Sequence, residues 1–127
     1  MVKRISAILL LIALWLTVTS CDQSIKSATF NIQNNSQYRV TEIRLESIPD
    51  KNYQDVLESG KKCTLMYAWV ENPTWYAWIE FTMNGEKYGS LYSEQFAFDT
   101  TGRYKLVKQI HKGETVTVNI YDDHWEW

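Results

Sequence analysis

Cys21 is the first residue with evident chemistry, because its thiol directly follows the tripeptide Val18-Thr19-Ser20. Upstream, Met1-Val2-Lys3-Arg4 is basic and Ile5–Val18 is apolar, so the order is basic start, apolar segment and small residues, as in a secretory signal. The apolar segment has 14 residues, fewer than the roughly 20 that a membrane-spanning helix needs. We therefore predict that residues 1–20 form a signal helix that is removed.

The same stretch resembles the signal of bacterial lipoproteins, in which an aliphatic residue and two small or hydroxylated residues precede a lipid-bearing cysteine. Val18, Thr19, Ser20 and Cys21 occupy those four places in order. The resemblance implies recognition of Val18, Thr19 and Ser20, diacylglycerol on the Cys21 sulfur, and cleavage before Cys21. The implied location is the bacterial cell membrane or outer membrane, with the lipid as the link to the bilayer. Asp22 is a weak indication of inner-membrane retention in enteric-type bacteria.

A second group of candidate residues consists of aromatic side chains between residues 67 and 78. Tyr76 and Trp78 alternate along a predicted strand and point away from Trp75. Rings spaced in this way can stack on sugars or anchor a protein partner; the alternative is that both faces of this hairpin are buried and the rings pack in the core. With Trp69, they are the predicted binding surface, and an envelope protein or a glycan is the predicted partner.

The C-terminal sequence Asp122-Asp123-His124 contains oxygen and imidazole donors that could hold a metal. It lacks the further ligands and the glycine of a calcium loop. We expect an acidic tail whose tryptophans, Trp125 and Trp127, fold back on the domain, and we predict neither a metal nor a cofactor.

Catalytic motifs are few in this sequence. No glycine-rich phosphate loop, Gly-x-Ser-x-Gly, His-Glu-x-x-His or Cys-x-x-Cys occurs. A carboxylate pair such as Glu80 with Glu94 could serve glycoside chemistry, and a metal-dependent enzyme is a further alternative. The prediction is a non-catalytic binding or structural module, with a carbohydrate-binding module as the main alternative.

Cys63 lies in an apolar run, Cys63–Val70. If Cys21 carries lipid, Cys63 has no partner in the chain, so we expect a small buried core residue.

Charge argues against a nucleic-acid partner. Without Lys3 and Arg4, the chain has 11 basic and 15 acidic residues, whereas nucleic acid requires a basic patch.

The remaining residues predict one all-β domain over 28–127, joined to Cys21 by a tether over 21–27. Asn84-Gly85 is a strong hairpin signal, and Tyr53–Glu58 could be either a helical turn or extended. Phe96 and Phe98 are expected in the core. We predict an antiparallel, immunoglobulin-like sandwich or a small barrel of about seven strands, namely Ala28–Asn34, Tyr38–Ser47, Cys63–Val70, Thr74–Met83, Lys87–Tyr92, Arg103–His111 and Thr115–Tyr121.

Overall fold

The computed structural model describes residues 25–46, 52–70 and 72–127, without the side chain of Phe96. The predicted signal, its recognition residues Val18, Thr19 and Ser20, and Cys21 lie outside these ranges. The Phe96 side chain, expected in the core, also lies outside the described part of the chain. Within these ranges, no helix is both long and apolar enough to cross a bilayer.

Strands dominate the described part of the chain, and the helix α1 (Ser93–Phe96) is a single turn. The strands are β1 (Ile25–Asn34), β2 (Val40–Leu45), β3 (Tyr53–Leu57), β4 (Lys62–Val70), β5 (Thr74–Ala77), β6 (Ile79–Met83), β7 (Glu86–Leu91), β8 (Tyr104–Leu106), β9 (Lys108–His111), β10 (Thr115–Ile120) and β11 (Trp125–Glu126). They form a four-stranded sheet in the order β11-β10-β1-β4, a five-stranded sheet in the order β3-β2-β6-β7-β8 and a small β5-β9 sheet.

The all-β prediction is confirmed, and the described sheets pack face to face as a sandwich and do not close into a barrel. Two pairs, β1 with β10 and β7 with β8, are parallel, so the predicted antiparallel arrangement holds only for the other described pairs. The described strands outnumber the predicted seven for two reasons. Two predicted strands, Thr74–Met83 and Arg103–His111, each divide into two, and Tyr53–Leu57 and Trp125–Glu126 form two further strands.

The core forms where the two large sheets turn their apolar faces inward. Phe30 and Ile32 of β1 and Val118 of β10 are buried, as their alternation predicts. Trp125 is fully buried, and its ring meets Phe81 edge-on, with centroids 5.9 Å apart. The expectation that the C-terminal tryptophans fold back on the domain is therefore confirmed.

Asn34 is a buried polar residue at the end of β1 whose side chain is fully hydrogen-bonded. Its Nδ2 donates to the carbonyls of Tyr38 and Leu57, each at 2.8 Å. Its Oδ1 accepts from the Ser36 N–H at 3.0 Å and the Ser36 hydroxyl at 2.6 Å. Because Leu57 belongs to the five-stranded sheet and Asn34 to the four-stranded sheet, one amide joins the two layers.

Some expectations need correction. Phe98 is 85% exposed and does not enter the core, because it follows α1 in a turn at the surface. Ile25, Lys26 and Ser27, assigned to the tether, are instead the first residues of β1 and register with Val70, Trp69 and Ala68 of β4.

Asn34→Ala is expected to lower the free energy of unfolding by about 1–3 kcal/mol, because it leaves buried carbonyls without donors. Urea denaturation measures the change. The neighbouring Asn35→Ala is the control, since Asn35 is exposed and its side chain donates to the exposed end of Asn119 at 3.2 Å. Its effect should stay within about 0.5 kcal/mol. Equal effects of the two substitutions would contradict the role of Asn34.

Candidate functional site

A groove of about 330 Å³ lies on the outer face of the five-stranded sheet, over β6, β7 and β8. It extends from the end of β2 to the helix α1. Its walls combine aromatic rings with carboxylate and amide groups, which are Trp78, Tyr92, Tyr104, Glu46, Glu80 and Gln95. We refer to it as the sheet groove.

Gly89 of β7 forms the middle of the floor. It is opposite Glu80 of β6 on one side and Tyr104 of β8 on the other. A Cβ built on Gly89 would lie 2.4 Å from the Ile79 carbonyl oxygen and 3.0 Å from Glu80 Cα. No larger residue fits without moving β6 away from β7, so the space between Glu80 and Tyr104 stays open.

Trp78 lies where the chain passes from one sheet to another. The predicted strand Thr74–Met83 ends at Ala77, because β5 pairs with β9, and resumes at Ile79 in the five-stranded sheet. The Trp78 carbonyl accepts from Glu46 N–H at 3.2 Å. At the break, the Ile79 N–H donates to the buried hydroxyl of Ser90 at 3.1 Å. Trp78 is therefore held in place by its backbone, while its half-buried ring lines the groove.

Two tyrosines complete the aromatic lining. Tyr104 begins β8 and is half-buried, whereas Tyr92 immediately precedes α1 and is 45% exposed. Gln95 of α1 accepts from the Tyr92 N–H through Oε1 at 3.4 Å, which leaves its amide NH₂ able to donate to a ligand. The three rings thus come from three separate segments of the chain and surround one concave floor.

The polar groups of the groove are mostly acceptors. Glu80 is half-buried, and its Oε1 lies 3.9 Å from Arg44 Nη1 in a solvent-exposed pair, which contributes little to stability. Glu46 is exposed at the end of β2, and Lys87 supplies a cation at the opposite side. Such groups can form hydrogen bonds with hydroxyl and amide groups of a ligand.

Tyr67 of β4 lies near two groove residues, Glu46 and Tyr92. Its hydroxyl donates to the Tyr76 carbonyl at 3.1 Å, which ties β5 to β4. Burial, followed by the nearby charge of Glu46, raises the pKa of Tyr67 to about 12. The phenol therefore remains protonated across the physiological pH range and keeps this hydrogen bond.

The predicted surface residues have different positions in the structure. Trp78 lines the sheet groove, and Tyr76 is 56% exposed on β5 outside it. Trp69 is corrected to a core residue, because it is only 3% exposed and its Nε1 donates to the Asn72 carbonyl at 2.7 Å. Trp75, predicted on the strand face opposite Tyr76 and Trp78, is 42% exposed.

Sequence reasoning missed Tyr92, Tyr104, Glu46, Gln95 and Gly89 as groove residues. Part of the signal was available, because counting back from the Asn84-Gly85 turn sets Glu80 opposite Gly89. The parallel pairing of β7 with β8, which brings Tyr104 to the same place, has no short-range signal.

The C-terminal carboxylates have separate partners. Asp122 Oδ1 accepts from the Gln37 N–H at 2.8 Å, whereas Asp123 Oδ1 lies 2.7 Å from His124 Nδ1. The His124 hydrogen bond is also the main reason that the pKa of Asp123 is lowered. Across the described ranges, no three His, Cys, Asp or Glu side chains are grouped to hold a metal.

Cys63 is half-buried and packs against the core opposite Ile32. Burial raises the pKa of its thiol, so less thiolate is present at neutral pH than for an exposed cysteine. This environment fits the predicted structural role better than a nucleophilic one.

Comparison with known proteins gives no match to any protein family model, curated protein or solved structure.

Gly89→Ala is expected to lower the free energy of unfolding by about 1–3 kcal/mol through overpacking, and to speed amide exchange in β6, β7 and β8. Gly113→Ala is the control, because a Cβ there meets open space and only the left-handed backbone is penalised, at about 1–2 kcal/mol. Unchanged exchange in Gly89→Ala would show that the close approach does not shape the groove.

Proposed function

We propose that this chain is a lipid-anchored, non-catalytic binding module of a bacterial cell envelope, and that the sheet groove is its binding surface. The observation that carries the proposal is the grouping of Trp78, Tyr92 and Tyr104 around the floor formed by Gly89. The outer face of a sandwich sheet needs no aromatic cavity for stability. Ligand sites are typically concave, with apolar walls and a few well-placed polar groups.

The anchor is supported by the order of residues around Cys21. Two or three acyl chains hold a domain on a bilayer because each buried methylene contributes about 0.8 kcal/mol. A short tether then keeps the sandwich close to the membrane surface.

A carbohydrate is the ligand class that the groove favours. Aromatic faces carry negative quadrupole charge and pack well against the C–H faces of sugar rings, while Glu46, Glu80 and Gln95 provide hydrogen-bonding groups for hydroxyl and acetamido substituents. Two carboxylates against Lys87 favour neutral over anionic sugars. An envelope protein with an exposed aromatic or aliphatic anchor is the competing partner.

Mutation of Cys21 tests the anchor. The wild-type protein expressed in a bacterial host should gain the mass of diacylglycerol and fractionate with membranes, whereas Cys21→Ala should remain an unprocessed precursor. Cys63→Ala is the matched control and should be processed normally. If wild type and Cys21→Ala are cleaved alike and remain in the aqueous fraction, the anchor is wrong.

Titration of the mature domain with neutral chito- and cello-oligosaccharides tests the groove. We expect a saturable change in tryptophan fluorescence that Trp78→Phe removes and the control Trp75→Phe retains. Tyr104→Ala should weaken binding about fivefold, because loss of one stacking ring costs about 1 kcal/mol. If neither tryptophan fluorescence nor isothermal titration calorimetry detects binding of these oligosaccharides, a protein partner is favoured instead. Crosslinking on membranes would then identify that partner.

A further inference from the structure

Exposed apolar side chains gather at the end of the sandwich where the chain enters it. Ile25 of β1 is 60% exposed and registers with Val70 of β4, which is 40% exposed. Met66, on the same outer face of the four-stranded sheet, is 51% exposed. These residues do not contribute to the core, and the sheet groove lies on the opposite side of the molecule.

Trp75 lies at this same end of the sandwich. The Gly113 N–H donates to the Ser27 carbonyl at 2.8 Å, and the adjacent Lys112 N–H donates to the Pro73 carbonyl at 3.3 Å. This turn therefore connects the start of β1 to the residues that lead into β5. Trp75, at the second position of β5, is 42% exposed, and Lys112 is exposed in the turn.

The length of the preceding chain limits how far this end can be from Cys21. Four peptide units join Cys21 to Ile25, and a fully extended chain covers at most about 14 Å over that span. The polar layer on each side of a bilayer is about 5–8 Å thick. A diacylglycerol on Cys21 would therefore hold Ile25 within reach of the lipid headgroups in every orientation of the domain.

We propose that Ile25, Met66, Val70 and Trp75, here called the anchor-side patch, contact the lipid surface in the lipidated protein. The inference rests on the proposed lipid anchor but not on the ligand of the groove. Tryptophan rings favour the bilayer interface, and a lysine such as Lys112 can extend its ammonium toward headgroup phosphates. Because the outer faces of the two sheets point in opposite directions, this contact directs the sheet groove away from the bilayer.

The geometry favours a lipid surface as the contact of the anchor-side patch, and a second copy of the chain is the alternative. The bilayer is always within the reach of the tether, so contact with it is effectively intramolecular. A second copy has to be brought there by diffusion.

Fluorescence quenching on vesicles tests the contact. Lipidated protein is incorporated into phosphatidylcholine–phosphatidylglycerol vesicles whose acyl chains carry bromine near the interface, after intact mass has established the diacylglycerol. We expect tryptophan emission to be quenched by brominated but not by plain vesicles. The fraction of tryptophan emission that is quenched should fall by more than half in Trp75→Phe. It should be unchanged in the matched control Trp78→Phe.

The possible failures of this experiment differ from one another. Protein without the diacylglycerol mass overturns the anchor and the inference together. Lipidated protein whose quenching is unchanged in Trp75→Phe, or is lost in Trp78→Phe, overturns the inference alone.

Two carboxylates introduced into the anchor-side patch by mutation provide a second test, which does not depend on Trp75. Ile25→Glu with Val70→Glu should lower the quenched share at least twofold while the protein still floats with the vesicles. Val56→Glu, at an exposed position on β3 of the other sheet, should leave it unchanged. If the double variant instead removes a crosslinked dimer that the wild type forms, a second copy covers the patch and the inference is wrong.

Discussion

The buried amide of Asn34 fixes how the two large sheets meet. A sandwich brings backbone groups of different layers together at its ends, and each buried group needs a partner. Asn34 supplies two donors and one acceptor at this point and leaves none of them unpaired. A buried polar network that is fully satisfied favours one arrangement over slipped alternatives. The apolar faces can then pack in one register, with Phe81 and Trp125 closing the interior.

The shape of the sheet groove depends on the register between β6 and β7. The Asn84-Gly85 turn has positive φ at both residues, as a two-residue hairpin requires, and it aligns β6 with β7. The alignment sets Gly89 against Ile79 and Glu80, where a side chain has no room. Parallel pairing with β8 then adds Tyr104, and the change of sheet at Trp78 adds the second ring. A local turn preference thus determines the shape of a surface several residues away.

The sequence allowed prediction of the elements that depend on local patterning. Val116, Val118 and Ile120 alternate and are buried, and the Asn84-Gly85 hairpin forms as expected. Alternation does not reveal what covers a face, so Trp69 was assigned to the surface although it is buried. It also does not show where a strand changes sheets, and for that reason Thr74–Met83 was predicted as one strand. Of the proposed site, only Trp78 was predicted as a binding residue, and Glu80 was named only as half of a carboxylate pair. Residues such as Tyr104 were missed because long-range pairing brings them to the groove.

The pairing of β1 has a consequence for the kinetics of folding. Thr29 of β1 lies beside Thr115 of β10, near the opposite end of the chain, and this ladder runs parallel. Contacts between residues far apart in sequence form slowly, because a long loop must close before they stabilise the chain. For a chain that is exported N-terminus first, as we propose, the four-stranded sheet cannot close until β10 has followed. The topology therefore delays completion of the four-stranded sheet until almost the entire domain has been exported.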